Sequence, residues 1–183
     1  AFMHVSDLAL DSDPAETLLD TDDDEKGPEM PRPRRQTSKP IEDLLHEGQE
    51  LMVQISKGRI GTKGPRVTTY ISLPGRYLVF MPNVEHVGVS RRIPKDEERA
   101  RLKEIMRRLR QPGHGYIVRT VSEGVREEDL RSDVDFLSVL WQDVLKKRDR
   151  LPAPSLLHTD LGLAFRVVRD LFTSKVERLW VDS

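Results

Sequence analysis

Between residues 11 and 40 the chain has almost nothing to build a core from. The stretch holds the acid run "DTDDDEKG" and the proline-basic run "PEMPRPRRQTSKP". Such composition cannot bury enough apolar surface to offset the entropy of ordering the backbone. It predicts a disordered surface insertion over 9–40. Folded structure must therefore come from the short apolar opening "AFMHVSDLAL" and from residues 41–183.

Downstream, the apolar pattern changes period several times. Leu51, Val53 and Ile55 alternate, as do Val67, Thr69 and Ile71, and the glycine- and lysine-rich "KGRIGTKGP" lies between them. This predicts two strands joined by a turn. "RYLVFMP" is a third strand. In "KDEERARLKEIMRRLR" the residues Leu102, Ile105, Met106 and Leu109 fall at i, i+3, i+4 and i+7, with acids first and arginines last. That predicts an amphipathic helix over 95–110, with charges that suit its dipole. "GYIV" then reads as a strand, and Leu130, Val134, Leu137, Trp141 and Val144 mark a second helix over about 126–149. "SLLH", "LAFRVVRDLF" and "VERLWVD" read as strand, helix and strand, a βαβ unit whose strands would pair in parallel. The fold class expected is α+β.

Charge is distributed unevenly. Residues 1–30 carry ten acids against one base, whereas residues 31–183 carry 29 bases against 21 acids. A basic body behind an acidic segment suits an anionic partner such as nucleic acid, and equally an ordinary domain with an acidic tail. The chain has no cysteine, which excludes disulfides and thiolate metal sites. No apolar run is long enough to span a membrane, and a cytoplasmic location fits.

The sequence offers little for catalysis. Five histidines stand singly, without metal-ligand spacing. Asp160 is expected as a helix N-cap and Asp170 on the polar face of its helix; neither is expected to hold a metal. "GRIGTKG" lacks the lysine-serine/threonine ending of a phosphate loop. Binding is better supported. The turn carries Lys57, Arg59, Lys63 and Arg66, which suit a single-stranded backbone as well as a solubilising loop. Arg119-Thr120 ends the apolar strand "GYIV", where a guanidinium fork and a hydroxyl could meet an oxyanion or be surface filler.

Taken together, "EGQELMVQISK", "KGPRVTTYISLPGRYLVFMPN", "SRRI", "GYIVRT", "LPAPSLLH", "VVRDLF" and "LWVDS" resemble the ribonuclease E/G family of bacterial endoribonucleases. The resemblance covers about residues 41–183, and "AFMHVSDL" extends it to residues 1–8. It implies that residues 1–75 are the later part of an OB-type RNA-binding barrel. Residues 76–150 would be a sensor of the RNA 5′ end, and residues 151–183 the second segment of a ribonuclease H-like domain.

It further implies that Arg119 and Thr120 hold a 5′-monophosphate. Gly75 would let the chain approach the terminal nucleotide, Val79 would pack against it, and Arg91 would support the pocket. Phe2 would stack a base, while Lys57 and Lys63 would contact the strand. The parent enzyme would cleave single-stranded RNA with Mg2+ and act as a homo-oligomer. The magnesium carboxylates and the paired-cysteine zinc link of that family have no counterpart here. This segment is expected to engage substrate without catalytic residues and to be inactive alone. Two rivals stay open: a stand-alone RNA-binding module such as a ribosome-assembly factor, and an interaction protein whose acidic stretch at 11–25 binds basic partners.

Overall fold

The computed structural model describes residues 1–8, 40–172 and 176–182. But for Pro40, the insertion expected at 9–40 lies outside the described residues. The architecture is α+β. Strands β1 (Gln54–Lys57) and β2 (Arg66–Thr68) form an antiparallel hairpin. Strands β3 (Leu73–Pro74), β4 (Leu78–Met81), β5 (Val87–Val89) and β6 (Gly115–Val118) form a second sheet in the order β3-β4-β6-β5. In it β5 and β6 run parallel, and the other neighbours antiparallel.

Helices α1 (Asp96–Leu109) and α2 (Glu127–Arg150) pack on one face of that sheet. Alternation along β4 and β6 turns Leu78, Phe80, Tyr116 and Val118 towards them, all four fully buried. Leu102, Ile105 and Met106 meet them from α1, and the stripe Leu130 to Val144 from α2. The ring of Phe80 lies 5.2 Å from Tyr116 and 6.4 Å from Trp141. Burial of such a side chain contributes about 2 kcal/mol. Gly115 opens β6 because the main chain crowds it there; a β-carbon would sit 2.1 Å from the Val84 carbonyl oxygen.

Both long helices match their predicted spans within two residues at each end. Other expectations need correction. The alternation at Leu51, Val53 and Ile55 exists, but these side chains face outward and are exposed. The inner face carries Gln54, whose amide accepts from Ser72 N at 2.7 Å and donates to Ser72 O at 3.2 Å. Met52, on the same face, is partly buried against the main core, so that strand's inner face combines a polar two-point bond with apolar packing.

Only the later part of a barrel is expected over residues 1–75, and the described strands there form no closed barrel. Phe2 adds only a single bridge to Arg66. The βαβ unit does not form either, because "SLLH" and "VERLWVD" are without strand structure. A strand exists only by pairing, and these segments have no strand neighbour. Leu156 stays 76% exposed and Trp180 86%. Between them lies helix α3 (Leu163–Leu171), whose stripe Val167, Val168 and Leu171 is also uncovered. Its N-cap is Gly162, not Asp160, which instead accepts from Leu161 N.

Candidate functional site

Strand β6 ends at a corner built by one buried carboxylate. Asp133, on the inner face of α2 and 9% exposed, accepts from the backbone N–H groups of Arg76, Tyr77 and Leu78 at 3.2, 2.9 and 2.9 Å. Gly75 N donates to Leu78 O at 2.8 Å and tightens the same turn. A β-carbon on Gly75 would lie 2.5 Å from the Asp133 carboxylate. Only glycine lets the turn seat this closely, and the carbonyls of Gly75 and Arg76 are thereby fixed.

Arg119 lies across from this turn. Its N–H donates to Tyr77 O at 2.8 Å and extends the β4–β6 ladder by one residue. Strand alternation puts it on the sheet face of Val79 and Ile117, opposite the core. Nη1 donates to Gly75 O, Arg76 O and Asp170 Oδ1 at 2.8, 2.9 and 2.9 Å, and Nη2 to Asp170 Oδ2 at 3.3 Å. A guanidinium has five N–H groups in a fixed fork. Both Nη1 hydrogens and one Nη2 hydrogen are engaged here. Nε and the other Nη2 hydrogen bond no group among the described residues, and that edge presents the paired geometry that suits two oxygens of one phosphate. The side chain is 25% exposed, so an anion can reach it.

Thr120 follows at once and starts a short 3-10 turn over Thr120–Ser122. Its hydroxyl lies 2.9 Å from the Ser90 hydroxyl. Ser90 is itself held, donating its N–H to Val118 O and accepting from Arg92 N on Oγ. With Ser90 donating to Thr120, the Thr120 hydrogen can turn to a ligand. Arg91 is the next residue, and borders a shallow cleft with Gly88, Val89, Arg99 and Lys103. Val79 stands between Pro74 and Ile117 in the sheet register. Arg119, Thr120 and Gly75 thus share one corner, Arg91 adjoins it through Ser90, and Val79 lies on the open sheet face.

Helix α3 reaches the same corner. Asp170 binds Arg119 on one side and Arg169 on the other, Arg169 through Nε at 2.9 Å and Nη2 at 3.2 Å. Arg169 Nη1 also donates to Pro74 O at 2.9 Å, and Arg76 Nη1 to Phe172 O at 2.6 Å. The guanidinium of Arg169, and then that of Arg119, hold the Asp170 carboxyl well below the usual carboxylate range, against a smaller opposing effect of burial. Asp170 is therefore an anion at any ordinary pH. Sequence reasoning missed Asp133, the Arg169–Asp170 pair and the Ser90 hydroxyl. Their partners lie from 30 to 95 residues away, and no local pattern reports such a contact.

The hairpin gathers the other expected residues. Phe2 is bridged to Arg66, and Arg66 is the register partner of Lys57. Lys63 closes the turn, its N–H donating to Ile60 O at 3.0 Å. Phe2 is 54% exposed. Arg66 does not belong with the loop cations: it lies in β2, and its Nε and Nη2 are both spent on the buried Asp7 carboxylate, at 2.8 and 2.6 Å.

Among the described residues, no group of three or more histidines, aspartates or glutamates could hold a metal ion. None of their helices is long and apolar enough to cross a membrane. The model of the Ribonuclease E/G family matches residues 72–183. Ribonuclease G of Haemophilus influenzae is 45% identical over 145 residues, which are 79% of this chain and 30% of that protein. Ribonuclease G of Escherichia coli strain K12 is 45% identical over 147 residues, 80% of this chain and 30% of that protein. Ribonuclease E of Synechocystis is 41% identical over 149 residues, 81% of this chain and 22% of that protein. The chain spans less than a third of the length of these relatives.

Proposed function

The chain belongs to the ribonuclease E/G family, and from there we propose that it is the substrate-engaging part of an endoribonuclease that acts on single-stranded RNA. In this reading the Arg119 corner binds a 5′-monophosphate. The hairpin, as part of an OB-type barrel, holds the strand with Phe2, Lys57 and Lys63. Residues 76–150 form the 5′ sensor, and residues 151–183 belong to a ribonuclease H-like domain. The observation that carries the reading is the unspent Nε–Nη2 edge of Arg119, with the next residue, Thr120, carrying a hydroxyl whose hydrogen can be left to a ligand.

A terminal phosphate offers what this corner lacks: two oxygens for the fork, a third for the hydroxyl, and negative charge for the guanidinium. An internal phosphodiester has only two free oxygens and a single charge. The sheet and the turn fix the fork before the ligand arrives, which lowers the entropy lost on binding. Gly75 supports this reading through the turn that positions two carbonyls on Nη1, and Val79 offers an apolar surface on the same sheet face. Arg91 adds positive charge nearby. Docking the 5′ end lengthens the residence of monophosphorylated RNA and so favours its cleavage elsewhere in the intact enzyme. That enzyme is proposed to use Mg2+ and to act as an oligomer. The residues described here do not fit a magnesium site, and no hydrolytic step is assigned to them.

The test is fluorescence anisotropy with one short RNA carrying either a 5′-monophosphate or a 5′-hydroxyl. The monophosphate is expected to bind at least tenfold tighter, about 1.4 kcal/mol, and Arg119→Ala to remove only that increment. Equal binding of the two RNAs would sink the reading.

A further inference from the structure

Resting on the reading of Arg119 as the 5′-phosphate site, we propose that Asp170 is a positioning residue for that site, with Arg169 as its anchor. Asp170 binds the end of the Arg119 fork, between Nη1 and Nη2, and leaves the side edge clear. A guanidinium on a long side chain otherwise samples many rotamers, and each lost rotamer is an ordering cost at the moment of binding. Here three acceptors fix it in advance: Gly75 O, Arg76 O and the Asp170 carboxylate.

The carboxylate is itself referenced to the same turn. Arg169 grips it through Nε and Nη2, and its remaining Nη1 donates to Pro74 O, one residue before Gly75. The turn therefore contacts Arg119 directly through Gly75 and Arg76, and indirectly through Arg169 and Asp170. The charges at the corner are balanced. Arg76, Arg119 and Arg169 supply three guanidiniums, against the carboxylates of Asp170, Asp133 and Asp160, the last 4.0 Å from Arg169, so the pull on a phosphate comes from the open edge of Arg119 and not from a net charge. Asp170 lies 51 residues beyond Arg119, in a helix outside the span expected for the sensor. The site is thus completed by docking α3, and loss of that docking would loosen the fork.

The rival role is a pin that merely holds α3 in place, and affinity separates the two. The 5′-monophosphate and 5′-hydroxyl RNAs are titrated against the intact chain, Asp170→Asn, Asp170→Ala and Arg119→Ala, with circular dichroism and a thermal midpoint for each. Asparagine keeps the volume and one oxygen acceptor but loses the charge. Both Asp170 variants are expected to lower the monophosphate preference about tenfold, with 5′-hydroxyl binding within about twofold of the parent. A full preference in both variants would reduce Asp170 to a pin. A raised preference would make it a competitor for Arg119. Absence of any preference in the parent chain, or its survival in Arg119→Ala, would remove the 5′-phosphate reading itself and this inference with it.

Discussion

Two arginines of this molecule pair with aspartates and do so on different edges. Arg66 spends Nε and Nη2 on Asp7, whose side chain is only 8% exposed. Arg119 gives Asp170 the end of its fork and keeps Nε and one Nη2 hydrogen. The first pairing is a strut, which ties the opening residues to β2. In the proposed reading the second is a mount, which holds a cation ready for a phosphate. An Arg–Asp pair therefore has no single meaning. The edge that stays open decides whether it is structure or site.

The sharpest way to break this contrast is to remove what builds the second corner. Asp133→Ala strands the N–H groups of Arg76, Tyr77 and Leu78, of which Leu78 is fully buried. A loss of about 3 kcal/mol or more is expected in a urea titration, together with the monophosphate preference, because the carbonyls on Arg119 lose their seat. Unchanged stability would mean that water replaces the carboxylate without cost.

Arg66→Ala should cost less, about 2 kcal/mol, by leaving the Asp7 carboxylate buried without its cation. The monophosphate preference should survive it. A lost preference would mean that strut and mount are one unit.

The smallest effect concerns pH. Glu98 accepts from Arg101 and from Gly124 N, and so ties α1 to the turn beyond Thr120. Its carboxyl is pulled down from 4.5 to about 2, first by the Arg101 hydrogen bond, against a smaller effect of burial. A folded value below the unfolded one stabilises the protein above about pH 4.5, and that stability is lost as pH falls towards 2. Glu98→Gln should flatten thermal midpoints across this window; a parallel decline in both proteins would assign the acid loss to other groups.

How much of this was legible beforehand follows the range of the interactions. Helices α1 and α2 were readable because their apolar spacing and end charges are local. The strand "GYIV" was readable for the same reason, and Arg119-Thr120 drew attention as polar residues at its end. The outward turn of Val53 and Ile55 was not legible, since it depends on Gln54 meeting Ser72 and Met52 meeting the core, both distant contacts. The strands expected at "SLLH" and "VERLWVD" failed because propensity supplies no partner. Asp170 read as a solvated helix residue, and only the fold brings it to Arg119. Gly75, expected to let the chain approach a nucleotide, is required in the structure by the approach of Asp133.

The most direct measurement sets the two arginines side by side. Affinity for the 5′-monophosphate and 5′-hydroxyl forms of one RNA is measured for the parent chain, Arg66→Ala and Arg119→Ala. The open edge of Arg119 predicts a preference of tenfold or more in the parent and in Arg66→Ala, and none in Arg119→Ala. A preference that survives loss of Arg119, or one that was never present, would contradict the assignment of this corner to the RNA 5′ end.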